Sequence, residues 1–107
     1  MDFNFYAMLL HNITFNIDTN EELDFLQWMK SNHVPAVMQT GLPTSFKVLK
    51  LLTEVNNGGS TFSFQYSFET PETFETFETV HFDDIIQKVD ERYRGKYVFF
   101  ASLLQEL

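Results

Sequence analysis

Trp28-Met29-Lys30-Ser31-Asn32-His33-Val34-Pro35-Ala36-Val37-Met38-Gln39-Thr40-Gly41 decides how this chain folds. The stretch reads as the end of one helix, a break imposed by Pro35, a short second helical turn and a glycine that releases the chain into a strand. Proline disfavours helical geometry in the residue before it, so the break is expected at Val34. The only tryptophan of the chain lies here.

Working back from this stretch, Asp18-Thr19-Asn20-Glu21-Glu22 opens the helix. Thr19 and Glu22 have the spacing of a capping box, and the acids suit the positive end of the helix dipole. At 100° per residue, Glu22, Phe25, Leu26, Met29, His33 and Val37 share one side, which therefore faces the core. Before the helix, from about Phe5 to Ile17, the residues alternate. Leu9, His11, Ile13, Phe15 and Ile17 take one face, and Leu10, Asn12, Thr14 and Asn16 the other. Period two with one apolar face is the pattern of a half-buried strand. Residues 1–7 are read as a short extension ahead of it.

Working forward, Ser45 to Val55 reads as a second strand. Asn56-Asn57-Gly58-Gly59 is a tight-turn signal, because asparagine and glycine tolerate positive φ. Thr61 to Glu69 alternates again, with Phe62, Phe64, Tyr66 and Phe68 on one face. Thr70-Pro71-Glu72 opens a second helix, threonine as cap and proline in the first turn. Phe74, Phe77, His81, Ile85 and Val89 form its stripe. Basic residues gather at its end, Gly95 stops it, and Tyr97 to Leu104 is a last apolar strand. The order is β-α-β-β-α-β over a single domain, residues 1–107, an α+β class. The split βαβ arrangement sets two helices on one face of a four-stranded antiparallel sheet.

The totals narrow the partners. A net charge of −8 argues against nucleic acid and anionic membrane, both of which call for lysine and arginine patches. With no cysteine there is neither a disulfide nor a thiolate. No apolar run approaches the ~20 residues of a membrane helix, and no basic signal-peptide region precedes the first strand. A soluble, cytoplasmic protein is expected. Thirteen phenylalanines and four tyrosines are more aromatic bulk than one small core needs, which favours an oligomer.

Three segments carry a family resemblance. They are Asn12-Ile13-Thr14-Phe15-Asn16-Ile17-Asp18, then Trp28-Met29-Lys30 with His33-Val34-Pro35, then Leu51-Leu52-Thr53-Glu54-Val55 followed by Gly58-Gly59. Over residues 8–107 the chain resembles a family of small, uncharacterised bacterial proteins of the dimeric α+β-barrel group. The resemblance implies a ferredoxin-like fold and a homodimer whose two sheets face each other. It implies no activity, since the wider group holds heme-degrading and quinone-forming monooxygenases, isomerases and non-enzymatic members.

The candidate site residues are His11, His33, His81, Trp28 and Tyr66. The three histidines fall on inward faces of three different elements. Counted along those elements, His11 lies ~20 Å below the top of its strand, His33 ~20 Å down its helix and His81 ~14 Å up the other, so their heights are comparable. Three readings stay open: separate buried histidines each bonded to a carbonyl or water, a shared ligand pocket, or a three-histidine metal site. The last demands far more than equal height, so no metal is assigned. Trp28 packs under a loop or subunit edge, or walls an aromatic ligand. Tyr66 belongs to the core row or lines an apolar pocket. Gly58-Gly59 has no lysine-serine or helix after it and is a turn, not a phosphate loop. No cofactor motif is present, so an enzyme of this sequence would use proton transfer or cofactor-free oxygen chemistry. The leading expectation is a homodimer binding or acting on a small, largely apolar molecule in a histidine-lined pocket. The alternative is a non-enzymatic interaction or regulatory module with a filled core.

Overall fold

The computed structural model describes residues 8–53 and 58–107. Four strands, β1 (Leu9–Asp18), β2 (Ser45–Lys50), β3 (Gly59–Phe68) and β4 (Tyr97–Gln105), form one antiparallel sheet in the order β2-β3-β1-β4. The alternation read from the sequence is the register of the sheet. Across β1 and β3, His11 faces Tyr66, Ile13 faces Phe64 and Phe15 faces Phe62, all on the inner side. Leu10, Asn12, Thr14 and Asn16 turn to the outer side with Ser67, Gln65, Ser63 and Thr61.

Two helical arms cover the inner face. The first runs through α1 (Glu22–Trp28), a π-helical turn (Met29–His33) and α2 (Val34–Met38). The second runs through α3 (Pro71–Thr76), another π-helical turn (Phe77–Phe82) and α4 (Asp83–Tyr93). Phe25, Met29, His33 and Val37 are all buried, four residues apart. In an α-helix each step of four overshoots a full turn by ~40°, so this row would swing ~120° off the core over three steps. A wider π turn advances less per residue and keeps the row on the sheet. Here the structure corrects the expected break at Val34. His33 and Val34 both keep helical dihedrals, and the Val34 N–H donates to the Met29 carbonyl, five residues back. Pro35 then occupies the first turn of α2, where its missing N–H costs little. Gly41, at φ 73°, closes the arm in the left-handed region.

Other boundaries also move. The capping box at Thr19 does not form: Asp18 precedes a 3-10 turn (Thr19–Glu21) with no side-chain cap bond. The Thr19 hydroxyl lies 3.5 Å from that of Ser60, and Glu22 pairs with Lys50 at 3.1 Å. Those partners come from β2 and β3 and outcompete the local bond. The cap of the second arm does form, with the Thr73 N–H donating to the Thr70 hydroxyl at 3.1 Å. β1 is described from Leu9, with Met8 outside the strand, and the expected start near Phe5 falls on residues 1–7, outside the described set. β2 ends at Lys50, with one further bond from the Leu51 N–H to the Thr61 carbonyl. The expected continuation to Val55 is not found at Leu51, Leu52 and Thr53, which lie outside the strand, and Glu54, Val55 and the Asn56-Asn57 half of the turn fall outside the described set.

Candidate functional site

β1 brings His11 to the inner face, β3 sets Tyr66 opposite it, and the π turn of the first arm lowers His33 onto the same layer. His33 is 2% exposed, His11 3% and Tyr66 fully enclosed. The His33 ring stands 5.6 Å from Phe64, 6.0 Å from Phe15 and 6.0 Å from Tyr66, measured between ring centres. His11 meets the rings of Phe74, Phe82 and Phe77 at 5.0, 5.3 and 6.1 Å. Tyr66 thus links the two histidines, as cross-strand neighbour of one and ring neighbour of the other.

Four polar atoms of this cluster have no partner among the described residues. Both ring nitrogens of His33, Nδ1 of His11 and the Tyr66 hydroxyl are buried without a hydrogen bond among the described residues. Each such group carries a desolvation penalty of ~1–3 kcal/mol unless something bonds it. Burial lowers both histidines from 6.5 to about 4, so they are neutral at neutral pH, and it raises the Tyr66 hydroxyl. A neutral imidazole offers one donor and one acceptor, and a phenol can do either. The cluster can therefore hold a hydroxyl, carbonyl or water, and it repels ions.

His81 sits apart, half-buried on the second arm with its ring 6.4 Å from Phe77. The π turn directs the next residue, Phe82, toward His11 instead. Phe77 stands between His11 and His81, touching both. Trp28 is further away, at the contact between the two arms, 5.9 Å from Tyr93 and beneath the Arg92 guanidinium. That contact is fastened by Asp24, which accepts from Arg92 at 3.1 Å and from the Tyr93 hydroxyl at 2.7 Å. Burial, then the bond to Asp24, pushes the Tyr93 hydroxyl up to about 12, and the same bonds hold the Asp24 carboxyl low.

Four surface depressions among the described residues lie elsewhere. One of about 340 Å³ lies on the outer sheet face against Leu10, Lys47, Gln65 and Leu104. A second, of about 470 Å³, lies at the free edge of β2 against Lys30, Val34, Phe46, Lys47, Val48 and Leu49. Two smaller ones lie beside Trp28 and beside Gly95, and none of the four is lined by a histidine. Among the described residues no group of three histidines or carboxylates could hold a metal ion. The β2-edge groove was missed in the sequence. Its one local signal is the interleaving of Lys47 with Phe46, Val48 and Leu49, and its other wall comes from a different element.

With this geometry in hand, comparison places the chain among known proteins. A family described as "Domain of unknown function (DUF4286)" matches residues 8–107. No curated protein matches. Among solved structures, a dimeric ferredoxin-like protein from an uncultured marine organism superposes with a TM-score of 0.67 at 14% identity, covering 94% of this chain and 96% of that one. A DABB-family protein with a ferredoxin-like fold from Mesorhizobium loti gives 0.65 at 18%, covering 94% and 98%. A candidate antibiotic biosynthesis monooxygenase from Bacillus cereus gives 0.63 at 11%, covering 94% and 93%. At such identities the likeness shows a shared ferredoxin-like fold and nothing of activity.

Proposed function

This chain belongs to the family described as a domain of unknown function, DUF4286, and from its fold and its buried polar cluster we propose that it is a homodimer binding a small, largely apolar molecule through His11, His33 and Tyr66. The observation that carries this reading is the set of unpaired polar atoms in an otherwise aromatic layer. Buried polar groups without partners are rare, and a ligand hydroxyl or carbonyl between His33 and Tyr66 would remove the penalty. Both arms carry a π turn over this layer, and such turns are frequent at functional sites. The rings around the cluster close it, so entry requires a phenylalanine or an arm to move.

Dimerisation is supported by the outer sheet face. Leu10, Leu49, Leu51, Val98 and Phe100 share it with Asn12, Thr14, Ser63 and Gln65. Val98 is 68% and Phe100 62% exposed in the single chain, an apolar surface edged with polar groups of the kind that subunit interfaces use. The marine relative is itself dimeric.

The second reading is a non-enzymatic interaction module with a filled core. It is favoured by the packing of phenylalanine rings around both histidines and by the absence of a histidine from the four depressions. His33→Leu separates the two. Under the filled-core reading it removes an unpaired polar group and raises the melting temperature in every preparation. Under the binding reading it leaves a folded dimer that no longer retains the bound molecule, and a melting temperature no higher than that of the loaded wild type.

A further inference from the structure

The outer face of the sheet, opposite the histidine cluster, sorts its residues by polarity and by size. The middle strands β1 and β3 present Leu10, Asn12, Thr14 and Asn16 beside Ser67, Gln65, Ser63 and Thr61. All of these except Leu10 are polar, and none is charged. The edge strands carry the apolar bulk: Leu49 on β2, with Leu51 continuing its register, and Val98, Phe100 and Leu104 on β4. Each of these five is 46% exposed or more. Subunit interfaces ordinarily set an apolar centre inside a polar rim, and here that order is reversed. Serine, threonine and asparagine are also shorter than leucine and phenylalanine, so the face is a trough with raised sides. A depression of about 340 Å³ already opens at one end of it, against Leu10, Gln65, Ser67 and Leu104.

The hydrogen bonds of the trough run within the sheet. The Asn16 amide donates to the Thr61 hydroxyl at 2.9 Å, and the Ser63 hydroxyl donates to the Asn12 side-chain oxygen. The side chains of Thr14 and Gln65 have no hydrogen-bond partner among the described residues. One row, Lys47, Gln65, Asn12 and Ser102, crosses the sheet without an apolar residue and leaves the trough open at its edge. The charged outer residues of the strands, Lys47 and Asp18, stand at the margin, on the edge strand and at the end of β1.

We propose that two copies joined through this face enclose a polar slot that admits small uncharged molecules bearing hydroxyl or amide groups. The slot rests on the dimer described under the proposed function, and one copy cannot form it alone. Packed sheets lie ~10 Å apart when their side chains interdigitate, and short residues on both sides leave part of that gap unfilled. The leucine, valine and phenylalanine rims meet and exclude water, while Thr14 and Gln65 of each copy offer hydrogen bonds to a guest. An ion finds no opposite charge in the middle to offset its desolvation.

The chain has no cysteine, so Thr14→Cys places a single thiol in the trough and Val98→Cys a single thiol on its rim. Each dimer, verified by light scattering, is treated with iodoacetamide, with iodoacetate, or with a maleimide carried on a long polyethylene glycol. Mass spectrometry reads the adducts, which report access to the thiol. In the dimer, Thr14→Cys is expected to gain the iodoacetamide adduct and to lose the polymer adduct. Iodoacetate falls further behind iodoacetamide there than in the Thr14→Cys/Phe100→Glu single chain, where all three reagents react. Val98→Cys in the dimer resists all three. Ser63→Cys repeats the measurement on the neighbouring strand should Thr14→Cys fail to dimerise. With the dimer intact, the slot is overturned if Thr14→Cys resists iodoacetamide, takes the polymer, or shows the single chain's ratio of iodoacetate to iodoacetamide. It is overturned equally if Val98→Cys reacts with iodoacetamide as fast as Thr14→Cys, or if both trough variants fail to dimerise while wild type succeeds. A monomeric wild type overturns the dimer and the slot together, and light scattering tells that failure from the others.

Discussion

At His33 both ring nitrogens are enclosed without a partner, and burial keeps the ring neutral down to about pH 4. Unfolding returns it to its ordinary value near 6.5, so between these limits the unfolded chain binds the extra proton. Stability is therefore complete above pH 6.5 and is lost as the pH falls toward 4. His11 acts in the same direction and over the same window. The loss attributable to His33 is on the order of 3 kcal/mol. Urea titrations at pH 7 and pH 4.5 should show it, and His33→Leu should flatten the dependence. Parallel profiles for the two proteins would contradict a neutral buried imidazole. Asp24 and Asp90 have lowered values and lose their contribution in more acid solution than this window. Glu22, lowered from an ordinary value of 4.5, begins to lose its contribution at the acid end of the window. That His11 and His33 point inward was legible, because alternation and the helical stripe fix the face of each. That rings of Phe74, Phe77 and Phe82 would close over His11 was not, since they arrive from an arm distant in sequence.

Within the elements, both inward stripes contain successive steps of four residues, which drift off one face of an α-helix by ~40° each. The π turns at Met29–His33 and Phe77–Phe82 are how the chain meets this drift. A stripe count at 100° per residue tolerates the drift and so cannot see them. On the second arm both His81 and Phe82 are half-buried, and it is Phe82 whose ring packs against His11. The two threonine caps divide for a related reason. Thr70 has only its own helix to bond, whereas Thr19 lies beside Ser60 on the neighbouring strand. Thr70→Ala is thus expected to cost about 1 kcal/mol in chemical denaturation. Thr19→Ala should cost less than about half of that, as no N-terminal donor is lost. Equal losses would mean that a capping bond forms at both. The four-stranded antiparallel sheet with both helical arms on one face, by contrast, was legible from element order and strand alternation, and the order β2-β3-β1-β4, with β1 between β3 and β4, fits the split βαβ arrangement.

On the scale of the whole molecule, the outer sheet face and the inner aromatic layer make separate demands. Burying Val98 and Phe100 against a second copy would remove the most exposed apolar side chains of that face from water. Light scattering at micromolar concentration should give twice the chain mass of 12.6 kDa, and Phe100→Glu should give the single chain with its fold intact. A wild-type monomer would remove the dimer from the account. The binding of an apolar molecule at His11, His33 and Tyr66 is the central claim, and native mass spectrometry of the gently purified protein tests it most directly. The account predicts wild-type protein carrying an added small-molecule mass that collisional activation releases, and His33→Leu protein of the same oligomeric state without it. Wild-type protein at the bare polypeptide mass, together with a His33→Leu variant that melts at a higher temperature, would contradict it.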